Sequence, residues 1–262
     1  MGKWALISGA SSGIGREFAR VVVADGYNVI ITARREDRLR ALEKELSSKG
    51  CKVHVITCDL ATPHAAEKIY QEIKNHGYVV ELLINNAGFG DCNLFQNAEY
   101  DKLLRMVQVN ISSLLALTYM CIPNMRTLPY AGILNIGSVA GFQPGPYMAI
   151  YYATKAFVLS FTEALAQELR NSSIHVSVLC PGPTQSEFGI TAGAQSSLIF
   201  QEKMLADAYA VALYGYKALK KRKPVAIYGI FFKLLIFFQR ILPRRMVVAL
   251  TARIQKKRST HR

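Results

Sequence analysis

No acidic residue follows Asp207 in this 262-residue chain, although 14 of its 32 lysines and arginines lie beyond that point. Residues 1–207 are balanced, 18 basic against 18 acidic, so the whole formal charge of +14 belongs to the C-terminal fifth. Charge confined in this way points to an anionic partner surface, membrane or nucleic acid, for that segment alone. Cysteine is sparse: Cys51, Cys58, Cys92, Cys121 and Cys180 are odd in number, widely spaced and without a CxxC pair. That excludes a disulfide scaffold and fits a reducing cytosol. The five histidines (His54, His64, His76, His175, His261) lack metal-ligand spacing. His54, between Cys51 and Cys58, falls in a strand pattern whose side chains alternate in direction, so no metal site is expected. The start, "MGKWALIS", has no basic leader or cleavage site, and Leu6 stands where a myristoylation motif after Gly2 needs Ser or Thr. Long apolar runs are also missing. Val225 to Phe238 covers 14 residues and contains Lys233, too short and too charged for a bilayer span. No groove-reading motif or stacking platform accompanies the basic tail, which argues against nucleic acid.

What is present is a chain with 51% hydrophobic residues, enough for one large core in one domain. Short β-branched runs ("WALIS", "NVIIT", "KVHVIT", "ELLIN", "GILNIG", "HVSVL", "VAIY") alternate with helical patterns, and most are apolar throughout, as strands covered on both faces should be. In "EDRLRALEKELSSKG", Leu39, Leu42 and Leu46 form an apolar stripe and Gly50 supplies a stop. The pattern predicts an α/β fold, a doubly wound parallel sheet of about seven strands. Residues 1–229 are expected to form this domain, with 186–224 as a substrate lid over one end of the sheet, and 230–262 a basic, apolar helical extension.

Three stretches carry chemistry. "SGASSGIG", Ser8 to Gly15, follows the first strand and opens a helix. Glycines 9, 13 and 15 allow a tight turn and close backbone approach, and the helix N-terminus offers free N–H groups to a pyrophosphate. Arg34 stands 19 residues after Gly15, followed by Arg35, where an NAD site places an acid for the ribose 2′-hydroxyl. A guanidinium matches a phosphate instead, so NADP(H) is expected in preference to NAD(H). Finally, "IYYATKAF" sets two tyrosines ahead of Lys155. Reducing a carbonyl with a hydride requires a proton for the developing alkoxide, and a nearby ammonium draws a phenol down from its ordinary pKa of about 10. Tyr151 is i,i+4 and Tyr152 i,i+3 from the lysine, and both relations bring side chains together on a helix, so spacing leaves the choice open.

Read in order, the pieces resemble the short-chain dehydrogenase/reductase family. GxxxGxG is followed by "NNAG" at Asn85 to Gly88, Asn110 in the next helix, Ser138 ending the fifth strand, YxxxK at Tyr151 and Lys155, and "PG" at Pro181 and Gly182. The similarity covers roughly residues 3–190. It implies a Rossmann-like oxidoreductase in which Tyr151, four before the lysine and 13 after Ser138, is the acid in reduction or the base in oxidation. Tyr152 becomes a neighbour. Lys155 would tune Tyr151 and bind the nicotinamide ribose, Ser138 hold the substrate oxygen, and Asn110 support a water in a proton relay. The cofactor contacts implied are Gly9, Ser11, Ser12, Gly13, Ile14 and Gly15 of the loop, with Arg34 beside them. Asp59 and Leu60 would lie near the adenine, Asn86, Ala87 and Gly88 along the dinucleotide, and Pro181, Gly182 and Thr184 near the nicotinamide. Two residues depart from the family pattern: Ser186 replaces a common threonine, and Tyr152 a smaller residue. A homo-oligomer is expected.

For the substrate, Ser138, Gln143, Tyr151 and Phe188 are the expected contacts. Phe142, Pro144, Phe188 and Ile190 suggest an apolar pocket, which suits a lipophilic acyl, steroid-like or aromatic ketone. The alternative is a non-catalytic dinucleotide-binding sensor or membrane scaffold of the same fold, which has no physical need for Ser138 and Tyr151 in this register. In the tail, Lys233, Arg240 and Arg244 recur at spacings of seven and four, gathering charge on one helical face. That fits an in-plane amphipathic helix against anionic lipid, with "MVVALTARIQKKR" as a second. The alternative is that Phe231, Phe232, Phe237 and Phe238 pack on the domain or a second subunit and leave the lysines solvated. The expected location is cytoplasmic, peripheral to a membrane surface.

Overall fold

The computed structural model describes residues 2–193 and 205–255. Seven strands, β1 (Trp4–Ser8), β2 (Asn28–Ala33), β3 (Val53–Thr57), β4 (Val80–Asn85), β5 (Ala131–Ile136), β6 (Ile174–Cys180) and β7 (Val225–Ile227), make one parallel sheet in the order β3-β2-β1-β4-β5-β6-β7. This is the doubly wound sheet predicted. The chain starts at the centre, winds out to β3, then returns to β4 and winds the other way. β1 and β5 are buried at every residue because helices cover both faces.

Alternation along the strands divides the core in two. On one face Ile7, Ile31 and Ile84 meet Phe18 and Val22 of α1 (Gly13–Ala24), the Leu39, Leu42 and Leu46 stripe of α2 (Glu36–Ser47), and Val211 of α8 (Ala208–Lys220). On the other, Leu6, Ile30 and Leu83 meet Ile69 of α3 (Ala65–Asn75) and Leu117 and Met125 of α5 (Leu114–Met125). Helix α4 (Tyr100–Val107) runs into α5 through a widened π turn, Gln108–Ser113. Together they form the one helix among the described residues long and apolar enough to cross a bilayer, yet it packs on β4 and α3 as a core helix.

Helix α6 (Ala149–Glu168) precedes β6. Beyond β6, α8 packs on α1, β5 and β6, so the second half of the interval expected as a lid is built around the crossover helix leading to β7. The part lying over the strand ends includes α7 (Phe188–Thr191), and residues 194–204 of that interval fall outside the described residues. After β7 come α9 (Ile230–Gln239) and α10 (Arg244–Gln255). They correspond to the two helices expected in the tail, whose last basic residues, 256–262, are likewise outside the described set.

Candidate active site

The chemistry-bearing motifs gather at the carboxyl ends of the strands. After β1 the backbone turns through Gly9 (φ 68°) and Gly13 (φ 53°), a region closed to most side chains. A Cβ on Gly15 would lie 2.3 Å from the Gly9 carbonyl oxygen, so α1 leaves the loop at a distance only glycine permits. Ser12, the N-cap of α1, makes no side-chain cap, and its hydroxyl accepts from Arg35 Nη2 at 2.9 Å instead. The first N–H groups of α1 are thereby left to a ligand. Ser8, at the head of the glycine stretch but given no role in sequence, joins the two halves of the site. Its Oγ accepts from the Asn86 and Ala87 amides at 3.0 Å each, and Asn86 Nδ2 donates to Ser8 O at 2.9 Å.

A cavity of about 580 Å³ begins at this loop and runs past Ser138 and Tyr151 to α9 and α10. The expected catalytic, cofactor and substrate contacts all line it except Gly15 and Asn110, whereas Phe142, Pro144 and Ile190, expected at an apolar pocket, do not. The uncapped α1 terminus, the positive-φ glycines and the arginines at the end of β2 fit a dinucleotide, whose diphosphate the helix end would hold and whose adenosine ribose Arg34 and Arg35 would meet. Asp59, expected near the adenine, accepts from Ala61 N at 3.0 Å and from Arg105 Nη2 at 2.9 Å.

At the other end, Asn110 lies in the π turn, a geometry frequent at functional sites. Its Oδ1 accepts from Phe89 N at 3.1 Å, and its Nδ2 donates to Phe89 O and Thr154 Oγ1, both at 3.0 Å. Thr154 Oγ1 in turn donates to Tyr151 O at 2.7 Å. The asparagine amide is therefore committed to protein groups that brace α6 against the "NNAG" segment. Ser138 Oγ accepts from Ala140 N at 3.1 Å, which starts the 3-10 turn Val139–Phe142. Lys155 Nζ donates to Ile136 O at 2.7 Å and sits 5.9 Å from the Tyr151 ring centre.

Both members of the YxxxK pair are buried. Burial pushes the Tyr151 phenol well above its ordinary range, and the hydrogen-bonded Ser138 hydroxyl pulls the other way. The resemblance implies tuning by Lys155; here the largest influence on the phenol is desolvation. Burial also brings Lys155 down from 10.5 to about 8. Between about pH 8 and 10 the unfolded chain still holds a proton that folded Lys155 has released, so this lysine makes stability rise with pH. Denaturant unfolding of dinucleotide-free protein across that window should show the slope, and Lys155→Met should remove about 3 kcal/mol of it. An identical slope in the variant refutes the assignment.

The substrate side differs from expectation in detail. Phe188 and Gln143 line the cavity, and the Phe188 ring lies 5.0 Å from Tyr151. Phe142 packs instead with Leu114 and Val158 beside β6, and Ile190 points outward, 65% exposed. The place of these residues is taken by the C-terminal helices: Phe231, Phe232, Leu235, Ile236, Thr251, Ile254 and Gln255 form the remaining wall. Phe232 is seated on Gly182, where a Cβ would approach its ring to 2.2 Å. Gln255 Nε2 donates to the Tyr152 hydroxyl at 2.5 Å, so Tyr152 anchors α10 as well as flanking Tyr151. Nothing local in the sequence joins residues 103 positions apart.

The family model described as short chain dehydrogenase matches residues 3–196. The chain is 35% identical over 196 residues to sulfoacetaldehyde reductase 2 of Chromohalobacter salexigens, covering 73% of this chain and 77% of that protein. It is 31% identical over 191 residues to the very-long-chain 3-oxoacyl-CoA reductase of Homo sapiens, covering 69% of this chain but only 59% of that relative's length. Among solved structures, a short-chain dehydrogenase from Sphingobium yanoikuyae in complex with NADPH superposes with a TM-score of 0.80 at 28% identity, covering 91% of this chain and 94% of that one. The matched residues take in the glycine loop, six of the seven strands and the YxxxK helix, and the chain belongs to the short-chain dehydrogenase family of oxidoreductases.

Proposed function

We propose that this protein is an NADP(H)-dependent reductase of lipophilic ketones, acyl-type or steroid-like. The observation that carries the reading is the continuity of this cavity. Its one end is the glycine loop with Arg34 and Arg35, its middle Ser138, Tyr151 and Lys155, and its far wall apolar and aromatic. That wall favours a lipophilic ketone over a small anionic aldehyde. The bound dinucleotide supplies the hydride. The protein's part is to hold the carbonyl oxygen at the Ser138 hydroxyl and to give it the Tyr151 proton as negative charge develops. A phenol kept protonated by burial is suited to donation, and the Lys155 ammonium, one turn away, stabilises the phenolate left behind. Asn110 and Thr154 fix the helix that carries both.

The test is loss of NADPH absorbance with 3-oxoacyl thioesters, steroid ketones and a small hydrophilic aldehyde, repeated with NADH. Turnover of the lipophilic ketones with preference for NADPH is expected. Binding of NADPH without turnover of any carbonyl returns the sensor reading. For the homo-oligomer, Leu115 and Tyr119 on α5 and Phe157 on α6 are the exposed apolar side chains offered to a second copy.

The outer face of the C-terminal helices is assigned to an anionic bilayer surface. Ile230, Leu234, Phe237, Phe238 and Ile241 are all more than half exposed, an unusual concentration on so short a segment. Lys233, Arg240, Arg244, Arg245 and Arg253 lie among them without an acidic residue, a combination suited to an interfacial helix on anionic lipid. Co-sedimentation with phosphatidylserine-containing vesicles should be strong at low salt, and the double variant Phe237→Ser, Phe238→Ser should lose most of it. Equal binding of the variant would remove the bilayer from this account.

A further inference from the structure

The chain segment that follows the Pro181–Gly182 turn comes back over the glycine loop and sets a carboxylate where a phosphate is expected. Arg35 Nη1 donates to Glu187 Oε2 at 2.6 Å, while its Nη2 donates to Ser11 Oγ and Ser12 Oγ at 3.0 and 2.9 Å. Arg38 donates to the other oxygen of the same carboxylate. Two guanidinium groups thus converge on Glu187 and hold its carboxyl at about 2, far below the usual glutamate range. Arg34, at the same strand end, makes no hydrogen bond or ion pair among the described residues and lines the cavity. The clasp therefore occupies Arg35, the guanidinium anchored on the loop by both serines.

Glu187 is not an isolated surface group. It is the N-cap residue of α7, and its carbonyl accepts from Thr191 N and Thr191 Oγ1. Its neighbour Phe188 covers Tyr151 and comes so close to Gly90 that a Cβ there would lie 2.8 Å from the ring. Ser186, on the other side, packs on Gly13 of the loop. The carboxylate consequently ties the cover of the reacting tyrosine to the adenosine end of the cavity. A phosphate monoester and a carboxylate use the same fork of an arginine, and the two anions repel when placed together.

We propose that Glu187 is a carboxylate plug in the seat of the ribose 2′-phosphate. Binding of a 2′-phosphorylated adenosine exchanges it off Arg35 and Arg38 and releases the 186–193 segment, with Phe188, from Tyr151. A ribose with a free 2′-hydroxyl leaves the clasp closed. Discrimination between the two dinucleotides then acts on substrate access as well as on affinity, since a ligand shifts a two-state element only by its differential affinity for the two states. The inference rests on the NADP(H) reading above.

The experiment titrates 2′,5′-ADP and 5′-AMP calorimetrically into the full chain and into Glu187→Gln, with hydrogen exchange of segment 186–193 followed in parallel. The substitution keeps the side chain's size and lies at the surface, and a thermal melt confirms that the variant is folded. Glu187→Gln should bind 2′,5′-ADP about tenfold more tightly, the scale set by loss of two partly exposed competing ion pairs, and 5′-AMP unchanged. In the wild type, 2′,5′-ADP should speed exchange of the segment and 5′-AMP should not; in the variant exchange is fast with no ligand. If the wild type prefers 2′,5′-ADP while the variant's affinity and the segment's exchange do not move, the plug is refuted and the cofactor assignment stands. If neither protein prefers 2′,5′-ADP over 5′-AMP, the NADP(H) reading fails and the plug with it.

Discussion

Replacing Tyr151 with phenylalanine is expected to lower ketone reduction about a thousandfold, within the range spanned by positioned acids, while NADPH affinity stays near that of the wild type. The oxygen lost is the phenol hydrogen-bonded to Ser138 at the cavity wall, whereas the ring, its edge contact with Tyr152 and its packing under Phe188 are kept. A fall in kcat with little change in dinucleotide binding, read by nicotinamide fluorescence, separates loss of the acid from loss of the fold. A variant retaining a tenth of the activity or more would assign the proton to another donor. Tyr152→Phe is the instructive control. It leaves the chemistry in place but removes the hydroxyl that Gln255 meets, so α10 loosens and KM for a large ketone should rise more than kcat falls.

The second large effect is expected at Gly15. Alanine there brings a Cβ to 2.3 Å from Gly9 O and 2.4 Å from Asn86 Nδ2, so the loop, α1 and the "NNAG" segment cannot all keep their places. Overpacking of this kind costs about 1–3 kcal/mol, and more where the obstacle is backbone. Because the atoms that must move are those presenting the loop amides to the diphosphate, NADPH binding should weaken by about a hundredfold, alongside a lower melting temperature. Unchanged affinity would mean that the diphosphate does not lie on this loop.

The parts legible in sequence are those set by neighbours along the chain. Strands mostly apolar throughout announced a sheet covered on both faces, and the glycine spacing announced a tight turn opening a helix. The tyrosine pair was legible only by register, since 151 and 152 are equivalent relative to Lys155 on a helix. The arginine pair shows a sharper limit. Arg34 was singled out, yet the guanidinium lying on Ser11 and Ser12 belongs to Arg35. Both arginines line the cavity, and only the packing of the loop decides which of them the serines hold.

What the sequence by itself determined is the doubly wound sheet, the order of its motifs and the concentration of positive charge beyond Asp207, because these follow from periodicity and composition. Only the tertiary structure decided that the basic tail turns back as two helices to wall the cavity, Phe232 on Gly182 and Gln255 on Tyr152, and that Glu187 reaches Arg35 across 152 positions. Such contacts form where apolar surface must be covered and where the fold brings opposite charges together. Neither requirement leaves a mark at fixed spacing along the chain.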